Sequence, residues 1–351
     1  MKTLFYPLNY CNREVLIYKD YLKEEFRDPV YCTEKKDSIN NLLEITKKYN
    51  IDFKYEEDIF KLINKIDSAV ILPIEKTNIE NYKNILKIIE SNVRILNLDE
   101  SIKDLLINLE RDNNSREIKD VRFDIPREVV NIDVPVILIA GLNKFCDKFS
   151  TQLLIGNFFK NKGYNVSQFS TRKIANLFGI ENLPRIDCMM EYRFEEQALL
   201  LNKYFVDYIK NNQPDLIIID IEEGIMPMNN SILNNFGYLS KLLSFAIPID
   251  YTILNIYYQS FISDDFIKML DEYIVGNLGS ELFSIGISNT MVEFKPETQN
   301  RELKFFHLDA VNKDIIDTID GKLVFNVHDS VKCEEVFKKL FAKLTNNISI
   351  V

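Results

Sequence analysis

The chain has 351 residues, of which 46% are hydrophobic and 27% are charged, a composition that excludes disorder along the whole chain and suffices for about two domains. Its 43 Lys and Arg residues are outnumbered by 53 Asp and Glu residues, and the net charge of −10 argues against a nonspecific electrostatic grip on nucleic acid or on an anionic membrane. The 5 cysteines are scattered without a CxxC pair, and no apolar run reaches the roughly 20 residues of a spanning helix. We therefore expect a reducing, cytoplasmic location without membrane insertion.

The first part of the chain alternates short apolar strands with helical stretches. Strands are predicted over residues 3–6, 29–32, 68–74 and 93–98, and helices near 39–43 and 82–89. Strands separated by helices of this length pair in parallel. Residues 1–110 are thus predicted to form a three-layer α/β domain of the Rossmann-like or flavodoxin-like type, although they carry no glycine-rich dinucleotide fingerprint.

A second α/β domain is predicted over residues 133–351, after a polar linker over residues 111–132. Its first strand, 134–140, is apolar at consecutive positions, as in a strand covered on both faces. Further strands are predicted over 165–169, 216–220, 249–257, 282–288, 303–306 and 323–327, and helices over 150–163, 194–211, 264–275 and 331–344. This alternation again favours a parallel sheet.

The segment that follows the first strand of this domain has the layout of a phosphate-binding loop. Gly141 ends the strand, and a polar loop containing Lys148 leads into a helix, so that backbone amides and a helix N-terminus would face an anion. The strict pattern GxxxxGK[ST] is absent: the loop is one residue too long, Asp147 replaces the second glycine and Phe149 replaces the hydroxyl residue. A carboxylate at position 147 repels a bound phosphate electrostatically unless a cation lies between them.

Two interpretations of this loop are open. In the first, it retains ATP or GTP, with Gly141 and Lys148 contacting the phosphates and Ser150 or Thr151 helping to place Mg²⁺. In the second, it is a strand-to-helix turn with Ser150 as N-cap, Lys148 in solvent and no cofactor.

Acidic residues at the end of strand 216–220 form the second signal. In phosphate-loop enzymes an aspartate at this point holds Mg²⁺, and a neighbouring acid orients the attacking water. Asp220 and Ser150 are therefore predicted metal ligands, and Glu223 is the predicted water-positioning residue of a P-loop-type NTPase, if the chain is an enzyme. The alternative is an exposed acidic turn, because such acids are common at the carboxyl ends of parallel strands.

Three weaker features have competing interpretations. Cys146, beside lysines and a helix N-terminus, is either a thiolate nucleophile or a packing residue, and its base would have to be His307 or His328. His328 and Asp329 are either an orienting pair or structural. Residues 185–193 mix charge with methionine and form either a lid or partner surface, or the start of a helix with a Met-filled core gap.

The segments 141–153, 163–168 and 215–227 resemble the clostridial peptide maturation system proteins, most specifically at 147–149 and 222–227. The resemblance implies an accessory role in maturation or export of a ribosomally synthesised cysteine-rich peptide. Its implied partners are the precursor peptide, a radical-SAM maturation enzyme or both, and the net charge of −10 argues against nucleic acid as a partner. More distantly, the domain resembles degenerate phosphate-loop (P-loop) NTPases with parallel sheets. The alternative function is a non-catalytic scaffold that binds a peptide or an enzyme and carries a vestigial phosphate loop.

Overall fold

A computed structural model describes residues 2–26, 28–33, 42, 53–55, 59–73, 79–98, 125–184, 189, 191–259, 261–294, 303–308 and 318–348. The chain divides into two compact units, Met1–Lys119 with Lys173–Ile180, and Asp120–Arg172 with Glu181–Val351. The predicted boundaries at 1–110, 111–132 and 133–351 stay a prediction, since much of the linker lies outside the described residues. Most of the predicted helix near 39–43 and part of the 185–193 segment also lie outside the described residues.

The first unit contains a parallel sheet. Its strands are β1 (Lys2–Tyr6), β2 (Asp28–Thr33), β3 (Phe53–Tyr55), β4 (Ser68–Ile71) and β5 (Arg94–Asn97), and its described helices are α1 (Glu14–Ile17), α2 (Ile59–Leu62) and α3 (Ile79–Glu90), with 3₁₀ turns at Tyr10–Asn12, Lys19–Tyr21, Glu24–Phe26, Ile63–Lys65 and Lys173–Phe178. The strand order is β3-β2-β1-β4-β5, and all pairings are parallel. The central strand β1 is apolar and aromatic, is buried over Thr3–Tyr6 and ends before Pro7, as its sequence predicts.

The second unit contains a larger sheet. Its strands are β6 (Val136–Gly141), β7 (Val166–Ser170), β8 (Glu181–Asn182), β9 (Leu216–Asp220), β10 (Tyr251–Ile256), β11 (Glu281–Ile287), β12 (Thr290–Phe294), β13 (Leu303–His307), β14 (Thr318–Ile319) and β15 (Lys322–Asn326). Its described helices are α4 (Lys148–Asn161), α5 (Phe194–Asn212), α6 (Tyr238–Ala246), α7 (Asp264–Leu278) and α8 (Ser330–Ile348), with a turn at Asn234–Gly237. None of the described helices is long and apolar enough to cross a membrane.

Eight strands of this unit form one sheet in the order β14-β15-β11-β10-β6-β9-β7-β8, parallel except where β14 joins β15, and β12 and β13 form an antiparallel hairpin. Every residue of β6, β9 and β10 is buried, because helices cover both faces. Leu201 of α5, Leu243 of α6 and Leu270 of α7 pack on one face. Phe159 of α4 and Leu340 of α8 pack on the other. The predicted α/β fold class is thus confirmed, and the loops after β6, β9, β10, β11 and β15 all leave the sheet at its carboxyl edge.

The polar side chain of Asn202 holds α5 against its neighbours. Its Nδ2 donates to the carbonyl oxygens of Val130 and Ala246, both at 2.9 Å, and its Oδ1 accepts from the N–H of Val130 at 2.8 Å. Asn202→Ala should lower the free energy of unfolding by about 2 kcal/mol, because it leaves partly buried peptide groups without partners. Chemical denaturation tests this. The exposed neighbouring variant Lys203→Ala should change the same quantity by less than about 0.5 kcal/mol, and equal effects would contradict the assignment.

Candidate functional site

The loop between β6 and α4 has its shape fixed by residues of β10 and the position after it. Asn255 Nδ2 donates to the carbonyl oxygen of Cys146 at 2.9 Å, and the Tyr257 hydroxyl donates to that of Lys144 at 2.5 Å. Burial raises the pKa of Tyr257, so its hydroxyl remains a donor. Phe145 and Asp147 adopt left-handed backbone conformations, with φ of 61° and 58°. Two such residues in a non-glycine loop are held there by surrounding structure.

Gly141 occupies a position with no room for a side chain. A Cβ atom there would lie 2.4 Å from Cys146 Sγ and 2.8 Å from Lys148 Cδ. The loop therefore folds back closely over the end of β6, and the glycine permits that approach. Its contact with a phosphate stays a prediction.

Lys148 is the first residue of α4, which corrects two expectations of the turn interpretation. The N-cap position is held by Asp147, not Ser150, and the helix begins two residues earlier than predicted. The lysine is 5% exposed rather than solvated. Its Nζ donates to the carbonyl oxygens of Asn143 at 2.5 Å and Glu222 at 2.9 Å. The physical reason is the tight loop, which directs the ammonium group onto backbone carbonyls beside the end of β9.

The two hydroxyl residues of the loop have different environments. Thr151 Oγ1 donates to the carbonyl oxygen of Asp147 at 3.2 Å and accepts from Asn255 Nδ2 at 2.8 Å, so its hydrogen-bonding capacity is used within the loop. Ser150 is 1% exposed, and its Oγ is one of the buried atoms of the described residues that has no hydrogen-bond partner. Of the two, Ser150 is thus the hydroxyl still available to a ligand.

Asp220 is fully buried at the end of β9, so the exposed-turn interpretation is wrong for this residue. One carboxylate oxygen accepts from Ser170 Oγ at 2.8 Å, whereas the other, Oδ1, has no hydrogen-bond partner among the described residues. Burial raises the pKa of Asp220 to about 6, against the opposing effects of the Lys148 ammonium and the Ser170 hydrogen bond. The following acids, Glu222 and Glu223, are half-buried.

The unpartnered oxygens of Ser150 and Asp220 fit a Mg²⁺ ion. A hydroxyl and a carboxylate are hard oxygen ligands of the kind that Mg²⁺ prefers, and they follow the adjacent strands β6 and β9. Within the described part of the chain, no group of three or more His, Cys, Asp or Glu could hold a metal ion. Mg²⁺ is usually bound through one or two carboxylates and keeps several waters.

Glu223 lies in a turn that sequence patterns only partly predict. Its Oε1 accepts from Asn235 Nδ2 at 3.2 Å, and Asn234 Nδ2 donates to the carbonyl oxygens of Leu142 and Met226, both at 2.8 Å. The residues of the turn 234–237 all have positive φ, and the turn leads into α6, a helix that we did not predict. The detectable signal was the Asn-Asn-Phe-Gly sequence, since Asn and Gly are the residues that tolerate the left-handed region. The turn 234–237 therefore contacts both Glu223 and the start of the loop after β6, at Leu142.

The side chain of Cys146 packs beneath the loop. It is 1% exposed, its thiol donates to the carbonyl oxygen of Asn143 at 3.0 Å, and burial raises its pKa despite the nearby Lys148 ammonium. His328 and Asp329, the second weaker feature of the sequence, have separate partners. His328 Nε2 lies 3.0 Å from Asp147 Oδ2, while Asp329 accepts from N–H groups at the start of α8. The geometry therefore favours packing for Cys146 over nucleophilic chemistry.

The perturbed carboxyl of Asp220 makes stability depend on pH in a defined direction. Because its pKa of about 6 in the fold exceeds the ordinary value of 3.8, its ionisation destabilises the fold progressively as the pH rises between these values. Asp220→Asn should therefore raise the free energy of unfolding at pH 7.5 by about 2–3 kcal/mol, and by much less near pH 4. Urea denaturation at both pH values measures this, with the exposed Asp207→Asn as control. A variant less stable than the parent at pH 7.5 would contradict it.

No protein-family model matches the chain, and a search of curated proteins finds no match. Among solved structures, the chain is similar to a DUF1611 family protein from Anabaena variabilis, with 16% identity, a TM-score of 0.48 and coverage of 82% of this chain and 87% of that one. It is also similar to a plasmid partition protein from Borrelia burgdorferi, with 13% identity, a TM-score of 0.37 and coverage of 59% and 99%. A third is cobyrinic acid a,c-diamide synthase from Mycobacterium smegmatis, solved with an ATP analogue and magnesium, with 14% identity, a TM-score of 0.31 and coverage of 48% and 78%.

Similarities at these identities and TM-scores carry no conclusion about family, ligand or activity. The P-loop-like character of the second unit rests on its own architecture: a parallel sheet, a loop after the central strand β6 that ends in Lys148, and an acid at the end of the adjacent strand β9. Membership of the clostridial peptide maturation family stays a prediction.

Proposed function

We propose that the second unit binds ATP or GTP together with Mg²⁺ at the loop from Gly141 to Thr151. One observation carries this proposal: Ser150 Oγ and Asp220 Oδ1 are buried and find no hydrogen-bond partner among the described residues, at the site where the Lys148 ammonium is also buried. A buried oxygen without a partner costs about 1–3 kcal/mol, and a bound cation recovers that cost. The arrangement therefore suits a ligand that brings Mg²⁺ and phosphate oxygens together.

Each residue has a role in this proposal. Lys148 exchanges a backbone carbonyl for a phosphate oxygen, and Gly141 allows the loop backbone to approach the phosphates. Ser150 and Asp220 hold Mg²⁺, which supplies charge neutralisation for the phosphates. Thr151 supports the loop through the hydrogen bonds of its hydroxyl. If the nucleotide is hydrolysed, Glu223 positions the water.

The biological role that we propose is an accessory one in maturation of a ribosomally synthesised cysteine-rich peptide. It is supported by the resemblance at 147–149 and 222–227, with the precursor peptide or a radical-SAM enzyme as partner. A second candidate function is a scaffold with a vestigial loop. The observation that favours it is the pairing of Lys148 with two backbone carbonyls, which satisfies the ammonium without a nucleotide.

The deciding experiment is calorimetric titration of the purified chain with ATP, GTP and a nonhydrolysable analogue, each with Mg²⁺ and with EDTA. We expect binding that is strengthened by Mg²⁺, and we expect Asp220→Asn to lose the Mg²⁺ effect. No binding at millimolar nucleotide would overturn the proposal and favour the scaffold. Titration with the precursor peptide, with and without nucleotide, then tests the biological role.

A further inference from the structure

The carboxylate of Asp147 has a defined set of partners on the second unit. Its Oδ2 accepts from the N–H of Asn289 at 3.2 Å and lies 3.0 Å from His328 Nε2, and the side chain has no exposed surface. Only a ring nitrogen that carries a proton is attracted to a carboxylate, so the geometry requires the Nε2–H form of His328, neutral or charged. Two donors thus converge on a carboxylate that replaces the second glycine of the phosphate-loop pattern.

The side chains of Asp147 and Lys148 have partners that follow different strands of the sheet. In the sheet, β9 lies next to β6 on one side, whereas β11 and β15 lie two and three strands away on the other. Lys148 Nζ donates to the carbonyl oxygen of Glu222, which follows β9. Asp147 contacts Asn289, which follows β11, and His328, which follows β15. The carboxylate is therefore anchored beside residues that follow β11 and β15, whereas the ammonium group lies beside a residue that follows β9.

The histidine is itself held in place. Asn326 Oδ1 accepts from the N–H of His328 at 2.7 Å, and Asn326 Nδ2 donates to Asn289 Oδ1 at 3.1 Å. Asn326 therefore links His328 to Asn289 through hydrogen bonds, and these two linked residues both contact Asp147. The His328 side chain is only 14% exposed, so its contact with the buried Asp147 carboxylate is largely shielded from solvent.

We propose that His328 is a positioning residue for nucleotide binding, which holds the Asp147 carboxylate away from the phosphate side of the loop. The inference rests on the proposed function. His328 makes the acidic residue compatible with an anionic ligand, because it supplies a donor and, when protonated, a positive charge at the point where the carboxylate is stored. Without His328, the carboxylate keeps the N–H of Asn289 but loses the imidazole donor, so more of its negative charge acts on the phosphates.

A double-mutant cycle tests this role. Affinity for ATP with Mg²⁺ is measured by calorimetry for the parent, His328→Ala, Asp147→Asn and the double variant. We expect His328→Ala to weaken binding about tenfold or more, because an unneutralised carboxylate then acts on the phosphates. Asp147→Asn removes the charge and suits the left-handed backbone, so both it and the double variant should bind within about threefold of the parent.

Recovery in the double variant separates positioning from a merely structural role, which the second substitution would not repair. His328→Gln, which keeps an N–H donor, should retain most of the affinity, and His328→Leu replaces alanine if that variant fails to fold. Unchanged affinity in His328→Ala, or a double variant as weak as His328→Ala, overturns the role of His328 alone. A parent that does not bind ATP overturns the proposed nucleotide function and this role with it.

Discussion

Replacement of Lys148 by alanine is expected to weaken binding of ATP or GTP by about 100-fold, equivalent to ~2.7 kcal/mol. The ammonium group is the one positive charge that the loop buries, and charge-assisted hydrogen bonds to phosphate oxygens are the strong ones. Calorimetric titration of parent and variant with Mg²⁺ measures the difference. Thermal unfolding of the free proteins is measured alongside, because the variant also loses hydrogen bonds to the carbonyl oxygens of Asn143 and Glu222.

The matched control for this variant is Lys144→Ala. Lys144 lies in the same loop, its side chain is exposed, and its hydrogen bond with Tyr257 uses only the backbone carbonyl. Its removal should change nucleotide affinity by no more than about threefold, the size of a screened surface charge effect. If both lysine variants lose affinity equally, the effect reflects the net charge of the loop and not the buried ammonium group.

Substitution of Gly237 by alanine is expected to destabilise the second unit by more than about 3 kcal/mol. Gly237 has a φ of +69°, and an added Cβ would lie 1.8 Å from the carbonyl oxygen of Ile225. The clash is with backbone, so relief requires movement of the turn or of α6, and that movement disrupts buried packing. Urea denaturation measures the loss as a lower midpoint.

Gly279 provides a control that separates the clash from backbone strain. It also has a positive φ, of +65°, but a Cβ at this position meets no atom within 4 Å. Gly279→Ala should therefore cost only about 1 kcal/mol, the conformational penalty of alanine in the left-handed region. Equal losses in the two variants would show that the contact with Ile225 does not constrain the turn.

Local patterns predicted the skeleton of the candidate site, because its signals are contiguous in the chain. The apolar run of β6, the glycine at its end and the periodic apolar residues of α4 specify strand, loop and helix within a short segment. The acid at the end of β9 follows the same logic. These are features that each depend on neighbours a few positions away.

The orientation of the loop side chains could not be predicted in this way. From the sequence alone, Asp147 argues against anion binding, yet its partners Asn289 and His328 lie 142 and 181 positions further along the chain. Likewise, the distinction between Ser150 and Thr151 depends on Asn255, which is 104 positions from Thr151. Only the sheet order brings these groups together, and no local pattern encodes it.

The hydrogen bonds of Lys148 also bear on communication within the second unit. Its ammonium group joins the loop after β6 to the turn after β9 through the carbonyl oxygen of Glu222. A ligand that recruits this ammonium competes with that carbonyl, so occupancy of the loop and the conformation of the turn are thermodynamically linked. A protein or peptide that recognises one conformation of the turn therefore changes the affinity of the loop for its ligand. By reciprocity, the ligand changes the affinity of the turn for that partner by the same factor.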